Sequence, residues 1–353
     1  MTTTAHLGAN GTGPTTGDPG GAREPGRRGW LGGLVWLVWR QHRLFFGLLL
    51  AAVVGGAVWC AVLRSRAGGF IASHHIEGCS MISLVPRCDG TQEAVVEFRS
   101  TYGRSLQLAE MGLMLLPVLI GVFLAAPLIA REMEAGTHKL VLSQSVGPLR
   151  WLAAKTALPA LVVLAATTVL SGVFAWMWAV VGDEVSGAYW YSPLDFAALG
   201  PVPVAYSLLA LAVGVLAGLR LRRTVLTMGV TLGAMVVLQV GLKLLRPYLM
   251  PVVSTEFGPK ESAQLPDNAW GVGQGYHTRS GAHLPDTVCQ SAGNNEGCLR
   301  SHDVVGQYMD SHPASHHWPL AWIESGIVLA LTAVLTVIAF RVMRRRYGGK
   351  VAR

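Results

Sequence analysis

Six apolar runs, each about as long as a bilayer is thick, constrain the fold of this chain more tightly than anything else in it. They cover residues 44–63, 111–130, 156–182, 196–219, 224–242 and 318–340. Roughly 20 residues at ~1.5 Å each cross ~30 Å of hydrocarbon. In lipid a segment must satisfy its own backbone hydrogen bonds, so the runs are read as helices rather than strands. Composition agrees: 51% of residues are hydrophobic and 14% charged, where soluble proteins carry about 25% charge. The last run alone contains an acid, Glu324, which is expected at headgroup level with Trp318 and Trp322, leaving 325–340 as the core. Spans free of buried charge argue against a proton or ion relay and suit a hydrophobic or amphiphilic cargo.

Lysine and arginine set the expected orientation. With six spans both termini share a side, and that side holds 18 of the 28 basic residues and only 4 of the 20 acids. Its net charge is +14 against −6 opposite, so the +8 total is a transmembrane asymmetry and not a nucleic-acid footprint. Both termini are expected in the cytoplasm and the chain in a plasma membrane. Cysteines fit this topology. Cys79 and Cys88 fall in the first outer region and Cys289 and Cys298 in the last, while Cys60 is intramembrane. Four thiols gathered on one side indicate one or two disulfides in an oxidising space. Pairing within each region is the simpler arrangement; pairing between the regions is the alternative.

Residues 1–28 are rich in Thr, Gly and Pro and read as a disordered cytoplasmic tail without the apolar core of a signal peptide. Residues 29–43 combine Trp, Leu and Val with a closing Arg40, His42 and Arg43, the pattern of an interfacial helix; the other reading is an extension of span one. A six-span domain follows over 44–345, with outer loops at 64–110 and 243–317, and 346–353 form a basic tail. Trp176, Trp178, Tyr189, Trp190 and Tyr191 are read as membrane-belt aromatics. Pro117 and Pro127 in span two predict a kink, either a hinge or a static bend. The expected class is therefore an all-α integral membrane protein with six spans and two extended outer loops.

Motifs for chemistry are few. There is no GxxxxGK[ST] phosphate loop, Gly-x-Ser-x-Gly elbow or His-Glu-x-x-His, so no catalytic residue or cofactor is expected in this chain. His277, His283, His302, His312, His316 and His317 precede span six, but no ligating Cys or Asp pattern accompanies them and no metal is expected. Thr224, Met228, Thr231, Met235 and Gln239 share one face of span five and are candidates for the wall of an amphiphile pathway, with helix packing as the plainer alternative. Between spans two and three lies REMEAGTHKLVLSQSVGPLRWLAAK. Arg131, Glu132 and Glu134 close span two with charges that can pair with each other or with a partner. Gly136 permits a reversal and Thr137 can cap the next element. Leu140, Val141, Val146, Leu149, Trp151 and Leu152 then offer apolar surface beside Lys139, Arg150 and Lys155. Such an element can dock in a groove of a soluble partner and pass a rigid-body shift into the spans, or merely fix topology.

The string PLIAREMEAGTHKLVLSQSVGPLRWLAAK resembles the region after the second span in permeases of the ABC-2 family of ABC transporters, particularly actinobacterial ones. The shared features are Glu134, Gly136 and Thr137, the hydrophobic stretch 140–142, the small polar turn 143–147 and the re-entry from Arg150 to Lys155. The motif covers about 25 residues, while the six-span layout matches over most of 30–345. The resemblance implies a cytoplasmic coupling helix near 136–149, contributed to by Arg131, Glu132, Glu134, Gly136, Thr137, Lys139, Leu140 and Arg150. It implies two copies of a separate ATPase that binds ATP and Mg, and a second permease, identical or homologous, completing an export path. The long first outer loop and the His-rich stretch depart from the family pattern. A rival reading is a sensor or assembly module whose outer loops bind a ligand or protein and signal through the ATPase. A membrane enzyme or metal-handling protein is a second rival.

Overall fold

The helices run well past the apolar cores that define them. The computed structural model describes residues 28–80, 86–143, 147–182, 185–258, 261, 264–265, 268–290 and 295–347. The N-terminal tail through residue 27 and the basic tail from 348 lie outside them. Helix α1 (Arg28–His74) is unbroken over 47 residues, so the segment 29–43 is the first part of span one's helix and not a separate element. Span two is α2 (Gln92–Leu119), a π-helical turn (Ile120–Ala125) and α3 (Ala126–Glu134). A short α4 (His138–Ser143) leads to α5 (Pro148–Val181), which is span three. After α6 (Pro193–Ala198) come span four, α7 (Val202–Leu221), and span five, α8 (Thr224–Leu245). Span six is α10 (His317–Tyr347). Among the described residues, six helical segments are thus long and apolar enough to cross a membrane.

Both expected outer loops need correction. Because α1 ends at His74 and α2 starts at Gln92, the first connection is only 75–91, closed by the Cys79–Cys88 disulfide. The second region is folded. Strands β1 (Val253–Phe257), β2 (Trp270–Thr278), β3 (His283–Pro285) and β4 (Val304–His312) form an antiparallel sheet in the order β1-β4-β2-β3. Val253 lies opposite Ser311, Trp270 opposite His312 and Gly275 opposite Pro285. The all-α class is therefore replaced by a mostly helical membrane protein bearing one small sheet. A sheet this small buries too little to stand alone. The Cys289–Cys298 disulfide staples its flank next to α9 (Asn295–Ser301), and aromatic packing seats it on the bundle. Trp190 meets Trp270 edge-on at 6.1 Å, Tyr191 stacks on Trp270 at 6.3 Å, and the Trp190 indole donates to the Asn268 carbonyl at 2.8 Å. Trp190 and Tyr191 are this seat rather than belt residues; Trp176 is half exposed.

Span four is the hub of the bundle. Ala210, Gly214 and Gly218 recur every four residues along it, and in lipid such small residues let backbones approach closely. A Cβ on Gly214 would lie 2.6 Å from that of Ala125, and one on Gly218 would lie 3.1 Å from the Ala130 nitrogen. Span two is thus held against span four at its π-helical turn. Pro117 lies inside α2 and Pro127 in the first turn of α3. Each lacks an N–H and crowds the carbonyl four residues back; for Pro127 that carbonyl lies inside the widened turn, which absorbs the mismatch. The ends of the bundle differ. At one, α10 closes on α4 and α7, with the Tyr347 hydroxyl 3.3 Å from His138 Nε2 and Arg346 Nη1 donating to the Leu219 carbonyl at 2.7 Å. The opposite end carries the sheet.

Candidate functional site

The segment joining spans two and three is built from α3, α4 and the start of α5. Gly136, at φ +72°, takes the left-handed conformation that reverses the chain after α3. Thr137, expected as a cap, turns its hydroxyl back to the Glu132 carbonyl at 3.5 Å. His138 accompanies it, with Nδ1 3.1 Å from the same carbonyl and its ring edge-on to Tyr347 at 5.6 Å. The sequence gives no sign of this role for His138, whose burial depends on a tyrosine 209 residues away. Together these contacts fix where α4 leaves the bundle.

The acids have specific partners inside the chain. Glu132 pairs with Lys155, and the Gln41 side chain bridges them: Lys155 Nζ donates to its Oε1 at 2.6 Å and its Nε2 donates to Glu132 Oε1 at 3.3 Å. Lys155 is only 3% exposed. This trio ties span one, the end of span two and the start of span three. Glu134 acts differently. Its Oε2 accepts from the Thr224 backbone N–H at 2.9 Å and from the Thr224 hydroxyl at 2.7 Å. A carboxylate there satisfies orphan N–H groups and complements the helix dipole at the start of span five.

What remains outward is a small mixed surface. Arg131, Lys139, Leu140, Leu149 and Arg150 are exposed, Leu140 by 68%. Trp151 and Leu152, expected on that surface, instead point into the core with Leu128, Met133, Leu219 and Met343. Val146 lies outside the described residues, as does the Val141 side chain. The site is therefore the exposed Leu140 on a short helix, flanked by cations, beside latches that reach spans one, two, three, five and six.

The span-five face divides. Thr231 and Met235 are fully buried, Met228 and Gln239 partly so. A Cβ on Gly121 in the π-helical turn would lie 3.1 Å from the Thr231 methyl, so the middle of this face is packed within the chain against spans two and four. Thr224 sits at the opposite end from the sheet, bonded to Glu134.

At the sheet end lie buried charges that the sequence pattern places elsewhere. Glu324 is not at headgroup level but fully buried, with Oε2 accepting from Arg246 Nε at 2.8 Å, and Oε1 from Arg246 Nη2 at 3.2 Å and the Tyr206 hydroxyl at 2.9 Å. The Arg246 guanidinium also lies 3.6 Å from the centre of the Phe196 ring. Nearby, Glu110 is buried against Asp195 of α6, whose carboxyl is raised above its ordinary range by burial, partly offset by hydrogen bonding from Ser192. The expectation of spans free of buried charge is thus overturned, because helices extended beyond their apolar runs carry Glu110, Lys155 and Arg246 inward. His312 joins the sheet to the bundle, with Nε2 3.0 Å from the Pro247 carbonyl and Nδ1 3.1 Å from His316 Nδ1.

No curated protein matches this sequence. A family match does cover residues 50–246, from within span one to the turn that ends span five, which is more than half of the chain; the sheet and span six lie beyond it. Six membrane-crossing helices with a match over five of them leave one assignment: the chain belongs to the ABC-2 membrane transporter related family.

Proposed function

We propose that this chain is the permease subunit of an ATP-driven exporter of hydrophobic or amphiphilic molecules. It sits in a plasma membrane with both termini and α4 on the cytoplasmic side, as the charge asymmetry supports. A separate ABC ATPase, two copies per complex, binds ATP and Mg and docks on α4. A second permease, identical or homologous, supplies the other half of the path. The observation that carries this reading is the exposed Leu140 between Lys139 and Arg150 on an element latched into several spans. An apolar knob with a cationic rim can enter a groove on a soluble domain, and the latches transmit its displacement.

The test is purification from the host membrane with mass spectrometry of what stays bound. A stoichiometric protein bearing a phosphate loop, lost when Leu140→Asp is introduced, supports the reading. A chain that purifies alone, or a complex indifferent to that substitution, overturns it. The ordered, disulfide-stapled sheet favours a second reading, a sensor or assembly module that binds an external ligand or protein. Ligand-stimulated ATPase activity without net transport would separate it from an exporter.

A further inference from the structure

A cavity of 300 Å³ opens between spans two and five at the sheet end of the bundle. Leu115 from α2 and Leu232, Val236 and Val240 from α8 wall it, each about half exposed, so the cleft opens on the outer surface of the chain. Gln239, Lys243, Arg246 and Glu324 line its polar end. The two ends therefore differ in chemistry along one helix: Leu232 and Val236 come first, then Gln239 and Val240 side by side, then Lys243.

The charge at the polar end does not cancel. Arg246 and Glu324 neutralise each other through two hydrogen bonds, with Tyr206 on the same carboxylate. Lys243 has no acidic partner among the described residues, and it stands exposed one turn below Arg246. A net positive rim above an aliphatic cleft complements a molecule with an acidic head and an apolar tail. Size limits the tail. The cavity is at the small end of ligand pockets, which run from about 300 to 1,000 Å³, and the stretch from Val240 to Leu232 is ~12 Å at ~1.5 Å per residue. One acyl chain can lie along that length with the end of its tail beyond the open mouth, while the volume leaves no room for two chains side by side.

We infer that the cleft between spans two and five binds a single-chain anionic amphiphile, its acid group at Lys243 and Gln239 and its chain along Leu232, Val236 and Leu115. Treating that molecule as cargo rests on the permease reading above; the binding itself does not. The ligand shares its chemistry with free fatty acids and with lysolipids carrying a phosphate.

The experiment uses the full-length chain, purified in an uncharged detergent without any ATPase, and a fatty acid carrying a mid-chain diazirine. Photolabelling should fall on α2 and α8. Oleate and a lysophosphatidic acid should both compete, and dodecyltrimethylammonium should not. Which acid competes at lower concentration identifies the head group preferred. Lys243→Glu should weaken labelling about tenfold, the loss of one charge-assisted hydrogen bond, and Lys243→Arg should retain it. Val236→Trp, a change on a half-exposed position, should block the cleft and abolish labelling. Equal competition by the cationic amphiphile, or labelling untouched by both Lys243→Glu and Val236→Trp, overturns the inference. Because no ATPase is present, either result leaves the co-purification test of the permease reading independent.

Discussion

Replacing Lys155 with methionine isolates the Gln41–Glu132–Lys155 latch. The substitution keeps the volume and apolar stem of the side chain but removes the charge that Glu132 faces. With Lys155 3% exposed, removing one partner of such a pair costs about 3–5 kcal/mol, mostly from the charge left behind. Glu132 retains 15% side-chain exposure, so part of its penalty is relieved by water and the lower end, about 3 kcal/mol, is expected. That is roughly a 150-fold fall in the folded-to-unfolded ratio. The assay is reversible unfolding in mixed micelles, followed by tryptophan fluorescence as the denaturing detergent fraction rises. The double variant Lys155→Met with Glu132→Gln should recover much of the loss, since Gln41 and a neutral amide at position 132 can still exchange hydrogen bonds. A Lys155→Met protein within about 0.5 kcal/mol of the parent would refute the reasoning, and would mean that water rather than the lysine solvates Glu132.

Two further outcomes follow from packing and protonation. Gly214→Val should destabilise the bundle by about 1–3 kcal/mol in the same assay, because its Cβ meets Ala125 in the π-helical turn; Gly233→Val, with nothing within 4 Å of the added carbon, should not. Burial holds the His312 imidazole below its ordinary value of 6.5, reinforced by His316 and opposed by the Pro247 carbonyl. A depressed folded value means stability present above about pH 6.5 and lost as the unfolded chain takes up protons below it. Hydrogen exchange of β4, corrected for intrinsic rates, should therefore be faster near about pH 5 than near about pH 7.5, and His312→Gln should flatten the difference.

The six spans were legible because an uncharged apolar run of bilayer length has few alternatives. The disulfides were legible too, once the cysteines had been assigned to one side and seen to lie nine residues apart. The sheet was not. β1 and β3 are short, β2 carries Gly271, Gly273 and Gly275 in place of an alternating apolar pattern, and the pairings span long separations, as Val253 with Ser311. Glu324 was misplaced for a related reason: its apolar surroundings were plain in the sequence, but its partner Arg246 stood 78 residues away in what looked like a loop. Around α4 the sequence marked the right segment and the right charges. It did not distinguish outward from inward, so Leu140 and Trp151 read alike until Trp151 was seen packed against Leu219 and Met343.

The π-helical turn also works as a phase shifter. An α-helix advances ~100° per residue, so one extra residue in a turn rotates everything after it by about that angle. Before the turn, Leu106 and Leu113 of α2 face Cys60 of span one and Phe174 of span three. After it, Leu128, Ile129 and Met133 of α3 face Val215 of span four and Ala339 of span six. A single continuous helix thereby serves two sets of neighbours without a loop between them. Deleting one residue between Ile120 and Ala125 would leave the length of the span almost unchanged and turn its lower half to address the wrong helices.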